Sequence, residues 1–418
     1  VRLLQASAIL ACSTDPVHRR QAYRSATMTY EVVGAKTLPM QQALRVVLAR
    51  LGNFPALETR ADVGSAAEDL PLDLAIEEMA LSERCRVLLR DRPALLTSFQ
   101  YDLWSKLGEG RSVAVAAPTS AGKSFILQGH LARVFDQVGE RIVVYLVPTR
   151  ALIAQVARDL ADLFFGTESP PEIVTVPLDG DQPLPKRAIF VMTQERTQLM
   201  LAAHPEMSAG IVIVDEAHSI ADQGRGILLQ WVVDDLLRRR TDAQLLFASP
   251  GIRNLDVFGL TFGLDSVETL PSTGPTVAQN FLIVRVTSSR QGEFSVSSIE
   301  PGGEEALIGE FAIGQTIASK KERLVRISAA LGKGAPTIVY ANGAAEAEDL
   351  AIQLSDLFSD QEITPRRDAV AQLISQSVHP SYVLAAAVRR GVGFHYSNMP
   401  ALVRQAVEDA FADGTINF

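Results

Sequence analysis

Ala117-Pro118-Thr119-Ser120-Ala121-Gly122-Lys123-Ser124 follows the apolar run Ser112-Val113-Ala114-Val115-Ala116. After it, Ile126, Leu127, Leu131, Val134 and Phe135 fall on one side of a helical pattern. Strand, small-residue turn, then Gly-Lys-Ser opening a helix is the context that a P-loop requires. Successive backbone N–H groups around Ser120 to Gly122 can point inward and cradle phosphate oxygens, helped by the positive helix N-terminus. The cradle is expected to span Thr119, Ser120, Ala121, Gly122, Lys123 and Ser124. Lys123 would reach the β- and γ-phosphates, and the Ser124 hydroxyl would take one position on Mg²⁺. Ala117 stands where the usual pattern has its first glycine.

A second stretch meets the first in function. Ile211-Val212-Ile213-Val214 reads as a buried strand, and Asp215-Glu216-Ala217-His218 follows it directly. A doubly wound sheet presents such groups at the carboxyl ends of its parallel strands, where a P-loop also sits. Asp215 is then placed to hold Mg²⁺, and Glu216 to polarise the water that attacks the γ-phosphate. With Lys123 and His218 they make the expected catalytic set of an NTP-hydrolysing site that uses Mg²⁺.

Composition bounds the rest. A chain of 418 residues can hold two or three domains. Its formal net charge of −9 gives no global basic footprint, so nucleic-acid contacts must be local. Two cysteines, Cys12 and Cys85, make neither a disulfide framework nor a metal site, and buried free thiols are expected. No run of about 20 apolar residues predicts a membrane span. The start, Val1-Arg2-Leu3-Leu4, lacks a signal-peptide layout, and a cytoplasmic, reducing setting is expected.

Residues 1–92 read as an all-helical accessory or partner-docking domain. A turn at Thr14-Asp15-Pro16 ends the first helix, and Asp15 and Pro16 cap and open the next. Helical patterns run through Ala22–Val33, Pro39–Leu51 and Leu72–Leu89, with a loop expected at Glu58–Ser65. From 93 to 270, strands expected at Ile142–Val147, Ile173–Val176, Ala188–Met192, Ile211–Val214 and Leu245–Ala248 alternate with helices, the α/β signature. Leu96-Thr97-Ser98-Phe99-Gln100 carries a cap signal. Gln100 is either a solvent-facing helix residue or an amide able to pair with an adenine edge. Pro148-Thr149-Arg150 and Thr193-Gln194-Glu195-Arg196 open helices after strands and offer hydroxyl, guanidinium and N–H groups of the kind that contact phosphates.

The order Gln100, Ala117–Ser124, Pro148–Leu152, Thr193–Arg196, Asp215–His218 resembles a superfamily 2 DEAH-box helicase. The wording of the loop, and Arg225-Gly226 ahead of a helix, are similar to the Ski-like and Hel-like branch. The resemblance spans residues 93–418. It implies two RecA-like P-loop domains, 93–270 and 271–418, with ATP bound between them and the second incomplete at its C-terminus. It also implies that Thr149, Arg150, Thr193 and Arg196 line a single-strand path. His218 would couple nucleotide state to the strand. The stretch Leu4–Ser13, with Ala22-Tyr23-Arg24, is similar to helicase subunits of bacterial anti-phage defence systems, including the Hachiman type. That likeness implies a nuclease-like or effector protein partner on residues 1–92.

One motif departs from the family. Ser-Ala-Thr is expected after the next strand, but the chain has Phe247-Ala248-Ser249-Pro250-Gly251, and Pro250 has no donor. A linker is expected at Leu270–Pro275, and a hairpin of Phe281–Val286 with Phe294–Ile299 beyond it. A helix over Lys320–Leu331 and strands over Thr337–Asn342 and Gly391–Tyr396 are expected next. By the resemblance, His395 and Arg404 face the nucleic acid. The family places two further motifs, one with an arginine finger, after the point where Phe418 stands, so the chain reads as the N-terminal portion of a longer helicase. The function expected is an ATP-dependent 3′–5′ helicase or translocase on single-stranded DNA or RNA, with DNA favoured. A clamp that binds nucleic acid and recruits a partner without unwinding is the other reading, and Pro250 favours it slightly.

Overall fold

Asp15 caps the second helix as its position before proline predicts. Its carboxylate accepts the Val17 amide at 2.7 Å, and Pro16 occupies the first turn, where no donor is needed. The computed structural model describes residues 1–89, 92–137, 139–252, 254–264, 267–272, 280–299, 303–332, 334–359, 362–396 and 398–418. They fall into two units, Val1–Gln279 and Asn280–Phe418.

The first unit starts with helices α1 (Arg2–Leu10), α2 (Pro16–Val32), α3 (Leu38–Arg50), α4 (Pro55–Thr59), α5 (Ala61–Gly64) and α6 (Leu72–Glu83). They share a core that includes Leu4, Ala26, Tyr30, Leu44, Val47 and Phe54. Three local expectations are corrected here. The loop expected at Glu58–Ser65 contains all of α5 and the end of α4, because Leu57 and Val63 are buried and draw the segment onto the core. The helix expected to reach Leu89 stops at Glu83. Arg86–Leu89 (β1) instead pairs antiparallel with Arg92–Leu95 (β2), its exposure alternating as a hairpin strand requires. Cys12 is exposed rather than buried, since α1 ends two residues before it; Cys85 is buried.

Next come α7 (Ser98–Gly108), β3 (Val113–Ala116), α8 (Lys123–Asp136), β4 (Arg141–Leu146), α9 (Arg150–Phe164), β5 (Glu172–Val174) and β6 (Arg187–Met192). They are followed by α10 (Gln194–Ala203), β7 (Ile211–Val214), α11 (Arg225–Arg239), β8 (Gln244–Ser249), α12 (Asp256–Thr261) and β9 (Glu268–Pro271). Strands β3 to β9 form one parallel sheet in the order β5-β6-β4-β7-β8-β3-β9. Successive strand residues face opposite cores. Val113, Val115, Val143, Tyr145, Ile211 and Ile213 pack with residues of α7, α8 and α9, whereas Ala114, Val144, Leu146, Val212, Val214 and Phe247 pack with α10, α11 and α12. Both faces are covered, which is why these strands read as unbroken apolar runs. The architecture is a doubly wound α/β layer preceded by helices, as expected. Leu270 and Pro271, expected in the linker, close the edge strand β9 beside β3; Thr273, Gly274 and Pro275 lie outside the described residues.

In the second unit the expected hairpin forms and gains a third strand. β10 (Leu282–Ser288), β11 (Glu293–Ile299) and β12 (Glu305–Ala312) make an antiparallel sheet. Helices α13 (Lys320–Leu331), α14 (Ala344–Asp356), α15 (Pro365–Ser377), α16 (Val383–Arg389) and α17 (Ala401–Ala412) follow. The strands expected at Thr337–Asn342 and Gly391–Tyr396 carry no strand assignment. Each meets the stretch Asn417–Phe418 instead: the Thr337 amide donates to Asn417 O, the Gly393 amide to Phe418 O, and the Asn417 and Phe418 amides to Gly391 O, a short exchange that does not extend into an assigned strand. A groove of about 810 Å³, lined by Ile338, Val339, Val392 and Phe394 among others, lies along both segments. Among the described residues no helix is long and apolar enough to cross a membrane.

Candidate active site

The sheet order brings the two decisive motifs together. β8 separates β3 from β7, so the turns after these strands open on one edge about 10 Å apart. Each turn begins by extending a ladder: the Ala117 amide donates to Ser249 O, and the Asp215 amide to Leu146 O. Beyond those bonds the backbone leaves the sheet. Gly122 is left-handed (φ 74°), and Glu216 (φ 50°) is the non-glycine residue of positive φ among those described. A left-handed acidic residue straight after a core strand is a strained placement held by its surroundings.

The loop has a buried wall and an open crest. Ala121 and Lys123 are buried, whereas Thr119, Ser120 and Ser124 are exposed. Lys123 Nζ donates to Ala117 O at 2.5 Å and to Pro118 O at 3.1 Å. Burial lowers the pKa of the Lys123 ammonium, and the nearby Glu216 and Asp215 carboxylates oppose that shift. Gln100 closes the loop from behind. It completes a capping box with Thr97, its Oε1 accepting the Thr97 amide at 3.0 Å, while Nε2 donates to Ala121 O at 3.1 Å. A Cβ on Gly122 would sit 2.4 Å from that Nε2 and displace the Gln100 amide, in addition to the strain that its φ would bring. Both poles of the Gln100 amide are therefore engaged within the protein.

Asp215 sits deeper than its neighbour. Desolvation raises its pKa, and the Glu216 amide at 2.9 Å, Lys123 and the Tyr145 hydroxyl pull the other way. Tyr145, on the adjacent strand β4, is 2% exposed, and burial together with the Asp215 carboxylate it serves raises its own pKa. Sequence reasoning missed Tyr145, because its proximity to Asp215 depends on the register of two strands far apart in the chain.

His218 joins Glu216 to the third motif. Its Nδ1 lies 3.2 Å from Glu216 Oε2 and 3.3 Å from Ser249 Oγ. The Ser249 hydroxyl is placed to donate to Pro250 O at 3.2 Å, which leaves its oxygen to accept. That pattern assigns the proton to Nδ1. The hydroxyl that the altered motif retains is thus in contact with His218, despite Pro250. Arg225, half exposed, ties further turns together: Nε donates to Glu195 Oε1 at 3.0 Å and Nη2 to Pro148 O at 2.7 Å. A Cβ on Gly226 would meet Ile220 O at 2.1 Å, so α11 can start against the 217–221 turn because residue 226 has no side chain.

The residues expected on a strand path differ in availability. Thr149 caps α9, its hydroxyl accepting the Leu152 amide at 3.4 Å, and Arg150 is exposed. Thr193 is buried and bonds Glu195, and Arg196 Nη1 donates to Thr175 O at 2.6 Å. In the second unit His395 and Arg404 come together on one carboxylate, Glu408, at 3.9 and 3.8 Å.

The match to the DEAD/DEAH box helicase family model covers residues 97–256. Among characterised relatives, "mRNA transport homolog 4" of Caenorhabditis elegans is 24% identical, aligned over 93% of this chain and 40% of its own. "ATP-dependent DNA helicase Hel308" of Thermococcus kodakarensis is 25% identical over 82% of this chain and 29% of its own. The chain thus spans less than half the length of either. The solved DUF1998 helicase MrfA bound to DNA aligns at TM-score 0.49 and 13% identity, over 77% of this chain and 41% of that one. Residues 97–256 of this chain are thus similar to DEAD/DEAH box helicase domains.

Proposed function

We propose that the chain serves as an ATP-dependent nucleic-acid helicase or translocase moving 3′–5′ on single strands, DNA before RNA. Its organisation is a helical domain at 1–92 and RecA-like domains at 93–270 and 271–418. The observation that carries this reading is the convergence of Lys123, Asp215 and Glu216 across β8, with His218 bridging Glu216 to Ser249.

The residues suit ATP hydrolysis. The exposed crest of Thr119, Ser120 and Ser124 receives phosphate oxygens, and Lys123 leaves its loop carbonyls to meet the terminal phosphates. The Ser124 hydroxyl and Asp215 would hold Mg²⁺, which when bound would supply positive charge beside the transferred phosphoryl group. Glu216 takes the proton of the attacking water as the γ-phosphoryl bond to ADP breaks, giving ADP and phosphate. His218 and Ser249 then sense whether Glu216 is engaged. This contact favours coupled movement over the clamp reading, which rests on Pro250. Arg150 and Thr149 are the better candidates for strand phosphates. Thr193 and Arg196 serve the path by shaping it, and His395 and Arg404 would do so after release from Glu408. The likeness of Leu4–Ser13 to anti-phage helicase subunits supports a cytoplasmic defence role with a nuclease-like or effector partner on residues 1–92.

ATP turnover measured with and without single-stranded DNA and RNA tests this. Strand-stimulated turnover is expected, larger with DNA; nucleotide-dependent strand binding without stimulation would leave the clamp, and neither would end both readings. Tyr145→Phe is a second test. Losing one donor to Asp215 is expected to weaken Mg²⁺ affinity or turnover by about ten- to a hundredfold. Because the lost bond stabilises the carboxylate, the Asp215 pKa rises, and the acid limb of the pH–rate profile moves to higher pH. An unchanged profile would reduce Tyr145 to a core residue.

A further inference from the structure

Helix α6 turns Leu74, Glu77 and Glu78 toward its neighbours, Leu74 packing against their apolar core and the two glutamates pairing with arginines. Glu78 accepts from Arg45 Nε at 2.8 Å and Nη2 at 2.5 Å, and Glu77 accepts from Arg50 Nε and Nη2, both at 2.8 Å. Arg45 is 8% exposed and also donates to Val63 O at 3.0 Å; Arg50 also donates to Ala8 O at 2.9 Å. These forked pairs fix the rotation of the helix about its axis. No residue of α6 is fully buried, and Leu72, Ile76 and Met79 are 77%, 52% and 63% exposed. At 100° per residue the three fall within an arc of about 60°, a stripe about 10 Å long. Turning the stripe inward would strip Arg45 of its carboxylate in a buried place, which is costly. The apolar stripe therefore faces outward because the ion pairs hold it there.

Charge beside the stripe selects what covers it. Glu68, Asp69 and Asp73, at its N-terminal end, are exposed, and among the described residues none has an ion-pair partner. We propose that this face docks an amphipathic helix of a partner protein. That helix presents large apolar side chains at i, i+4 and i+7 spacing, with lysine or arginine at the end that lies over Glu68, Asp69 and Asp73. This gives a location and a chemistry to the partner proposed for residues 1–92. It stands or falls separately from ATP turnover, which Lys123 reports.

The test is fluorescence anisotropy of the intact chain with a synthetic helical peptide of about 16 residues, leucines at that spacing and lysines at one end. Saturable binding is expected, weakened at least about tenfold by Ile76→Asp with Met79→Asp. Thermal unfolding of that variant is expected to be unchanged, since both side chains are exposed. Asp69→Lys with Asp73→Lys should reject the lysine peptide and accept one ending in glutamates. Absent binding, binding indifferent to the stripe variant, or self-association of the chain that Ile76→Asp abolishes would each overturn the proposal, the last by making a second copy the occupant.

Discussion

Lys123→Ala is expected to lower ATP turnover by about 10²–10³-fold, the loss that follows when one preorganised charge donor is removed from a developing anion. Lys123 is 6% exposed, so its ammonium works where water screens little. Its bonds to Ala117 O and Pro118 O hold it at the loop, already desolvated and facing Asp215 and Glu216. Alanine removes the charge and the donor to the two carbonyls, a local change that leaves the backbone pairing of β3 with β8 and β9 in place. Circular dichroism should therefore be close to that of the parent. Lys123→Arg should not rescue, because a planar guanidinium cannot occupy the space between the two carbonyls in the same way. Steady-state phosphate release checks both variants. More than a tenth of the parent rate in Lys123→Ala would mean that the loop is an ordinary strand–turn–helix and that the hydrolysis reading is wrong.

What could be read from the sequence was what local chemistry dictates. Gly122 and Lys123 are legible because the turn, the helix start and the phosphate cradle occupy eight consecutive residues. Asp15, Thr97 and Thr149 are legible as caps because a cap serves amides two or three residues away. Tyr145 is not, since its partner Asp215 lies on another strand. Gln100 was legible as a helix-start residue, but its bond to Ala121 needed the packing of α7 against the loop. Pro271 hid an edge strand, because proline and the glycine near it signal a turn unless a neighbour such as β3 supplies pairing on one side only. Thr337–Asn342 failed in the opposite way: an apolar, β-branched run supplies propensity, but a strand also needs a partner ladder. The outward face of α6 was hidden for a related reason. Periodicity reveals that a helix has two sides, and only Arg45 and Arg50 reveal which side is turned in.

Phe247→Ala is expected to cost about 3–5 kcal/mol, the range for truncating a buried phenylalanine where the surroundings close only partly. Phe247 is 1% exposed on β8, the strand between β7 and β3. Its ring stacks on Phe258 at 4.7 Å and 10°, and on Phe262 at 5.4 Å and 9°. Beyond area burial, aromatic pairs of this kind add about 0.5–1.5 kcal/mol. Denaturant unfolding would measure the loss, with exposed Phe125→Ala as the control expected to stay within about 0.5 kcal/mol. The consequence reaches the active site by register. Residues two apart on a strand share a face, so the cavity opens on the side where Ser249 meets His218. Turnover in the folded fraction should fall too, and Phe247→Leu, which refills most of the space, should recover both properties together. A cost below about 1.5 kcal/mol would instead mean that α12 closes over the vacancy. In that case the rings of Phe258 and Phe262 move with the helix, and the third motif is anchored by backbone pairing to β7 and β3 alone.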